Sequence, residues 1–148
     1  MFQVSLTFDD GWRSAAQRAH PLLERFRFPG TFYAISNRLD NTIHSDYMSA
    51  EDLRILTEAG HEIGAHTRTH RHLPELSAAD AWEEINGSKI DLRSRGFNPT
   101  TFAYPYGDWN SAVVKQVREA GYLAARTIID GFNDDETSPF LLRCQHVT

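Results

Sequence analysis

Two carboxylates stand side by side at Asp9-Asp10, and two histidines stand four residues apart at His66 and His70. Adjacent side chains at the end of a strand leave the backbone in different directions, so one carboxylate can bind a cation while the other accepts a proton. Neutral imidazole is the commonest ligand for zinc and its neighbours. Histidines four apart can converge on one ion if the segment between them turns helically. One aspartate and two histidines would form a three-ligand set with positions left open for water, the arrangement of a catalytic rather than a structural site. The zinc-protease helix motif is excluded, because it needs a glutamate directly after the first histidine and Thr67 stands there.

A third cluster is Phe102-Ala103-Tyr104-Pro105-Tyr106-Gly107. Proline and glycine at a strand end hold the backbone in a fixed, non-helical shape. A backbone N–H there can donate to an oxyanion, and Tyr106 can stack on a sugar. Each cluster also has a plain reading. Asp-Asp-Gly is an ordinary solvated turn and helix N-cap, Tyr-Pro-Tyr-Gly is an ordinary turn, and His61 and His72 read as solvent-facing histidines.

The elements between these clusters must position them. Strand-like runs cover Phe2 to Phe8, Thr31 to Ile35 after the Pro29-Gly30 turn, His61 to Ala65, Thr101 to Tyr104, Tyr122 to Ile129 and Phe140 to Arg143. Helices fill the gaps. One starts at Ser49 with Asp52 in a capping box, turns Leu53 and Leu56 inward, and closes at Gly60. A second runs from Ser77 with Asp80, through Ala81, Ile85 and Leu92, to Gly96. A third runs from Asn110 through Val113, Val114 and Val117 to Gly121. An earlier one spans Ser14 to Phe26, with Pro21 inside its first turn or kinking it. Strand and helix in alternation predict βα units on a mostly parallel sheet, with all C-terminal strand ends on one rim. All three polar clusters follow strands, so they fall on that rim, where such folds place their chemistry.

The bulk numbers set bounds. The 148 residues fit one domain, 1–148, and 41% hydrophobic content supports a real core. A net charge of −5 argues against a nucleic-acid surface and is compatible with a sugar chain. No apolar run approaches the roughly 18 residues of a membrane span. Met1-Phe2-Gln3-Val4-Ser5 lacks the features of a signal peptide. The single cysteine, Cys144, excludes an internal disulfide and reads as a buried thiol. Asn86-Gly87-Ser88 fits a glycosylation acceptor pattern but sits in a predicted helix, so it is taken as chance.

In order and spacing, the three clusters resemble the polysaccharide deacetylases, the NodB-like carbohydrate esterases (carbohydrate esterase family 4). Thr7-Phe8-Asp9-Asp10-Gly11 looks like that family's first motif. Gly60-His61-Glu62-Ile63-Gly64-Ala65-His66-Thr67 looks like its second with the usual lead-in. The resemblance covers almost the whole chain. It implies an α/β fold, a distorted (β/α) barrel, and hydrolysis of N- or O-acetyl groups on a glycan with a divalent metal: zinc by default, cobalt or nickel as alternatives. By the same resemblance Asp9 is the general base, and Asp10, His66 and His70 bind the metal. The Tyr106 amide helps hold the oxyanion, with Pro105 and Tyr106 in contact with substrate. An extracellular or cell-envelope location is also implied.

Two departures from the family pattern stand out. The third motif often opens with an arginine that orients the base, and this chain has Ala103 there, read as the mark of a subgroup such as the poly-N-acetylglucosamine deacetylases. The family also supplies a general-acid histidine from a late strand. His146 is the candidate, but Leu142-Arg143-Cys144-Gln145-His146 resembles an earlier strand, so an incomplete barrel is expected, with an open edge beside the first strand and Val4 and Leu6 poorly covered. A non-catalytic glycan-binding relative and a small-amide hydrolase on the same fold are the alternative functions. An open groove favours the glycan and a closed pocket the small amide.

Overall fold

The computed structural model describes residues 3–40 and 46–147. Its frame is one parallel sheet of six strands, β1 (Leu6–Phe8), β2 (Gly30–Ala34), β3 (Glu62–Ala65), β4 (Thr101–Ala103), β5 (Ala124–Asp130) and β6 (Leu142–Cys144). Their order across the sheet equals their order in the chain. The winding therefore never reverses. Right-handed crossovers that never reverse keep the helices on one face, so the sheet curls into a half-barrel. This is the distorted-barrel architecture expected from the motifs. Among the described residues β1 pairs only with β2 and β6 only with β5, so the curl stays open. Val4 is exposed, and Leu6 and Phe8 are only partly covered.

The helices are α1 (His20–Phe26), α2 (Ala50–Glu58), α3 (Ala78–Ser94) and α4 (Ser111–Glu119). Ser49 and Asp52 form a reciprocal capping box at the start of α2. Ser77 and Asn110 cap α3 and α4 by accepting from the backbone three residues on. These caps satisfy amides that a helix start leaves without partners. The first helix differs from the single run expected over Ser14 to Phe26. Ala15–Ala19 is a π-helical turn, and Pro21 lies in the first turn of α1 just beyond it. Proline has no N–H for the i−4 carbonyl and crowds it, and a widened turn upstream relieves both problems.

Except for β2, which keeps its expected length one residue earlier, the strands are shorter than the apolar runs suggested, and Phe2 lies outside the described residues. Between β5 and β6 the alternation lapses. Residues 131–141 carry turns and no helix, in keeping with a polar stretch, Asn133-Asp134-Asp135-Glu136, that has no apolar face. Phe32, Ile63 and Phe102 of the sheet pack against Leu53, Leu56, Ile85, Leu92 and Val117 of the helices in one continuous core. No helix among the described residues is long and apolar enough to cross a membrane.

Buried polar groups in α3 were not foreseen. Glu84, Ser88 and Lys89 lie on its inner side with Ile85 and Leu92. Lys89 donates to the carbonyls of Ala120 and Gly121, closing the C-terminal end of α4 with a cation. His61 is likewise buried and not solvent-facing. Its Nδ1 accepts from the Gly30 amide at 3.0 Å, which ties the start of β2 to β3.

Candidate functional site

The first cluster leaves β1 through two consecutive left-handed residues, Asp10 at φ 68° and Gly11 at φ 72°. This tight corner turns Asp9 and Asp10 to different neighbours. Asp10 reaches β3's end. Its Oδ1 lies 3.4 Å from His66 Nε2 and 3.2 Å from His70 Nε2, and the two imidazole nitrogens are 3.1 Å apart. One ligand atom from each of the three residues falls within 4.8 Å of the other two. The spacing suits three groups around one cation.

The histidines are held from behind. His66 is buried, and its Nδ1 bonds the Ala103 carbonyl at 2.7 Å. A carbonyl only accepts, so Nδ1 carries the proton and Nε2 offers its lone pair to the cluster. His70 does not arrive by a helical turn, contrary to the expectation. Residues 66–70 form an irregular bend with Thr67 at φ 65° and His70 at φ 67°. Side chains of α3 pin this bend in place of helical hydrogen bonds. Glu84 accepts from the Thr69 amide and hydroxyl, and Asp91 receives the Arg68 guanidinium in a two-point contact of 2.9 and 3.0 Å. The Arg68 side chain runs over Gly87, where a Cβ would lie 2.7 Å from its Cδ. Gly87 is thus a packing residue, which accounts for the Asn86-Gly87-Ser88 pattern without glycosylation.

The imidazoles of His66, first, and His70 hold the Asp10 carboxyl well below the usual carboxylate range, against the opposing effect of burial. Asp10 is therefore ionised at working pH, as a metal ligand must be.

Asp9 turns the other way. Arg126 Nη2, from β5, donates to both of its carboxylate oxygens. Sequence reasoning missed this arginine. Its register explains how it serves: Arg126 is the cross-strand partner of Ala103, the position where the family pattern often has an arginine. A guanidinium displaced by one strand can approach the same carboxylate, because register partners stand side by side. The available signal was a lone arginine in the apolar run Leu123-Ala124-Ala125-Arg126-Thr127-Ile128, a buried charge that demands a partner. Arg126 is only 8% exposed. It also donates to the Thr127 carbonyl and contacts Cys144 Sγ at 3.6 Å, and among the described residues its Nε has no partner.

The third cluster sits against the histidines. The Tyr106 ring meets His70 edge-on at 4.6 Å and lies flat on His72 at 3.8 Å, while His72 Nδ1 pairs with Asp108 at 2.6 Å. Tyr106 is 48% exposed and holds a left-handed φ of 58°, whereas Pro105 is buried inside the turn. Among the described residues the Tyr106 amide has no backbone acceptor. Gly107 follows at φ 71°, where a Cβ would strike Ile128. His146 lies just beyond β6, within 3.4 Å of the Ile128 carbonyl and 3.8 Å of Cys144 Sγ. Among the described residues it bonds neither Asp9 nor the Asp10–His66–His70 cluster. Cys144 itself is half-buried, less covered than expected.

The family model described as polysaccharide deacetylase matches residues 2–125. Chitin deacetylase 1 of Saccharomyces cerevisiae is 31% identical over 133 residues, which are 89% of this chain and 41% of that protein. A chitooligosaccharide deacetylase of Bradyrhizobium is 29% identical over 130 residues, 86% of this chain and 56% of its own. The chain thus spans about half the length of these relatives. Among solved structures, the Streptococcus pyogenes deacetylase PplD in complex with acetate has a TM-score of 0.90 at 22% identity, covering 95% of this chain and 62% of that one. IcaB from Ammonifex degensii has a TM-score of 0.89 at 24% identity, covering 97% and 67%. These two likenesses establish the shared fold. With the family match running over most of its length, the chain belongs to the polysaccharide deacetylase family.

Proposed function

We propose that this chain carries a metal-dependent deacetylase site that hydrolyses acetyl groups on a glycan, with Asp10, His66 and His70 as the metal ligands and Asp9 as general base. The observation that carries this reading is the division of labour between the two aspartates. Asp10 closes a three-atom cluster within 4.8 Å, while Asp9 is drawn aside by Arg126 and kept free of it. The donor set fits a divalent ion: one carboxylate and two imidazole nitrogens, one of them with its tautomer fixed by a carbonyl. Zinc is the default occupant, with cobalt or nickel as alternatives.

A divalent ion bound there would act as a Lewis acid, polarising the acetyl carbonyl and lowering the pKa of a water towards about 7. Asp9 would take that water's proton, with Arg126 keeping the carboxylate turned to receive it. The Tyr106 N–H would donate to the carbonyl oxygen as it gains charge. A proton must also reach the leaving nitrogen or oxygen, and it does not come from Asp10, His66 or His70, whose cluster-facing atoms are committed to the ion. Exposed Tyr106 and Trp12 beside the cluster favour an open rim suited to a sugar chain over a closed small-amide pocket. Relatives named for chitin, chitooligosaccharide and peptidoglycan support a glycan substrate, and an envelope or extracellular location goes with it.

The test is acetate release from acetylated glucosamine oligomers, using protein stripped by a chelator and then reloaded with zinc, cobalt or nickel. Activity should return only on reloading. Asp9→Asn should abolish turnover with metal content intact, because an amide cannot take the proton. Loss of metal in parallel with activity would exchange the roles of the two aspartates, and acetate release that ignores the metal would overturn the reading.

A further inference from the structure

Asp10 has two carboxylate oxygens, and only Oδ1 faces the histidines. The other, Oδ2, accepts a hydrogen bond from the Trp12 indole N–H at 3.1 Å. That indole is not loose. It stacks on Tyr47 with ring centroids 4.5 Å apart and planes 18° from parallel, and the two residues form an antiparallel bridge. Backbone bonds lock the segment around Tyr47 to the Asp10 corner on both sides, Arg13 N to Asp46 O at 2.7 Å and Met48 N to Gly11 O at 2.8 Å. Met48 is fully buried and anchors the segment in the core. On Tyr47, Arg38 lies over the ring with its guanidinium carbon 4.8 Å from the centroid, and it donates to the Tyr47 hydroxyl.

We propose that Trp12 is a positioning residue for the metal site, a ring N–H that occupies Asp10 Oδ2 so that the carboxylate presents Oδ1 alone to the cation. This rests on the metal reading above. A carboxylate on a left-handed corner can rotate about its side-chain bonds, and one with both oxygens free can swing to grip an ion with two atoms or turn to solvent. The indole bond removes that freedom, and the layered stack of Arg38, Tyr47 and Trp12 holds the indole. Groups that orient a ligand in this way affect metal affinity by about 10- to 100-fold.

The experiment is zinc affinity by competition with a chromophoric chelator, on wild type, Trp12→Phe and Trp109→Phe. Phenylalanine keeps an aromatic ring for Tyr47 and deletes the N–H. Trp12→Phe should bind zinc about 10- to 100-fold more weakly, with an unchanged urea midpoint for the metal-free protein. Trp109, partly exposed and outside the cluster, should leave affinity unaltered when replaced. A Trp12→Phe protein with wild-type zinc affinity would overturn this inference while leaving the metal reading intact. An affinity loss accompanied by an equal loss of metal-free stability would reduce Trp12 to a packing residue. A wild type that binds no zinc would overturn both readings.

Discussion

Replacing Asp9 by asparagine and Arg126 by methionine, singly and together, should produce costs that do not add. Removing one partner of a buried ion pair typically costs about 3–5 kcal/mol, because the other charge is left without compensation. Which charge is left behind differs between the two variants. In Asp9→Asn the orphan is the Arg126 guanidinium, whose side chain is 10% exposed, so a cost near the lower bound, about 3 kcal/mol, is expected since the amide oxygen still accepts one hydrogen bond. In Arg126→Met the orphan is Asp9, whose side chain is 33% exposed. Water can reach it, and the cost should fall to about 1–2 kcal/mol. The double variant buries no charge at this point and should cost about 2 kcal/mol, well below the sum. For a domain of this length about 3 °C of Tm accompanies each kcal/mol, so the losses should be roughly 9, 3–6 and 6 °C. Urea unfolding of the four proteins measures the cycle, and metal content should stay constant across it because neither residue touches the cluster. Single costs that sum in the double variant would refute the pairing of Arg126 with Asp9. So would a larger loss in Arg126→Met than in Asp9→Asn.

Two further perturbations test the supports of the site. Gly87→Ala puts a Cβ 2.7 Å from Arg68 Cδ and should push the guanidinium off Asp91. The displaced end belongs to a flexible, partly exposed side chain, so its cost should offset most of the roughly 1 kcal/mol gained by alanine in a helix, and a urea midpoint raised by that full gain would contradict the contact. His61 has its pKa lowered below 6.5, first by burial and then by the neighbouring His20, against a smaller opposing effect of Glu24. The unfolded chain therefore takes up the proton first, so this contribution is present above about pH 6.5 and is lost as pH falls through the folded value. In His61→Gln, whose amide oxygen can still accept from Gly30, the drop in Tm between pH 7.5 and 5.5 should shrink, and equal drops would remove His61 from the account.

Local signals in the chain were readable wherever a short-range interaction decides the structure. Ser49 with Asp52, Ser77 with Asp80, and Asn110 before Val113 mark helix starts because cap and amide lie three residues apart. The grouping of Asp10 with His66 and His70 was legible for a similar reason: each motif sits directly after a strand, and parallel strands bring their C-terminal ends to one rim. What escaped depends on register and on long-range partners. Arg126 looks like an ordinary strand residue until β5 lies beside β4 and its partner proves to be Ala103. Glu84, Asp91 and Gly87 look like the polar side of an amphipathic helix, yet they hold the bend between His66 and His70. The helical approach inferred for His70 failed because spacing alone does not distinguish a helical turn from a bend with two left-handed residues.

Those left-handed residues have a consequence for any effort to make the protein more robust. Among the described residues six that are not glycine have positive φ, and four of them, Asp10, Thr67, His70 and Tyr106, belong to the three rim motifs. A side chain in that region costs roughly 1–2 kcal/mol, and most for a β-branched residue such as Thr67. The rim that carries the candidate site is therefore the place where this fold is least relaxed. A library screened for heat resistance alone would gather glycine and asparagine at these four positions, each change easing the backbone while removing the Asp10 carboxylate, the His70 imidazole, the Thr67 hydroxyl that accepts from the His70 amide, or the Tyr106 ring packed on His70 and His72. Variants that top such a screen would be the ones most thoroughly stripped of the rim, so hardiness and an intact rim must be selected together in this chain.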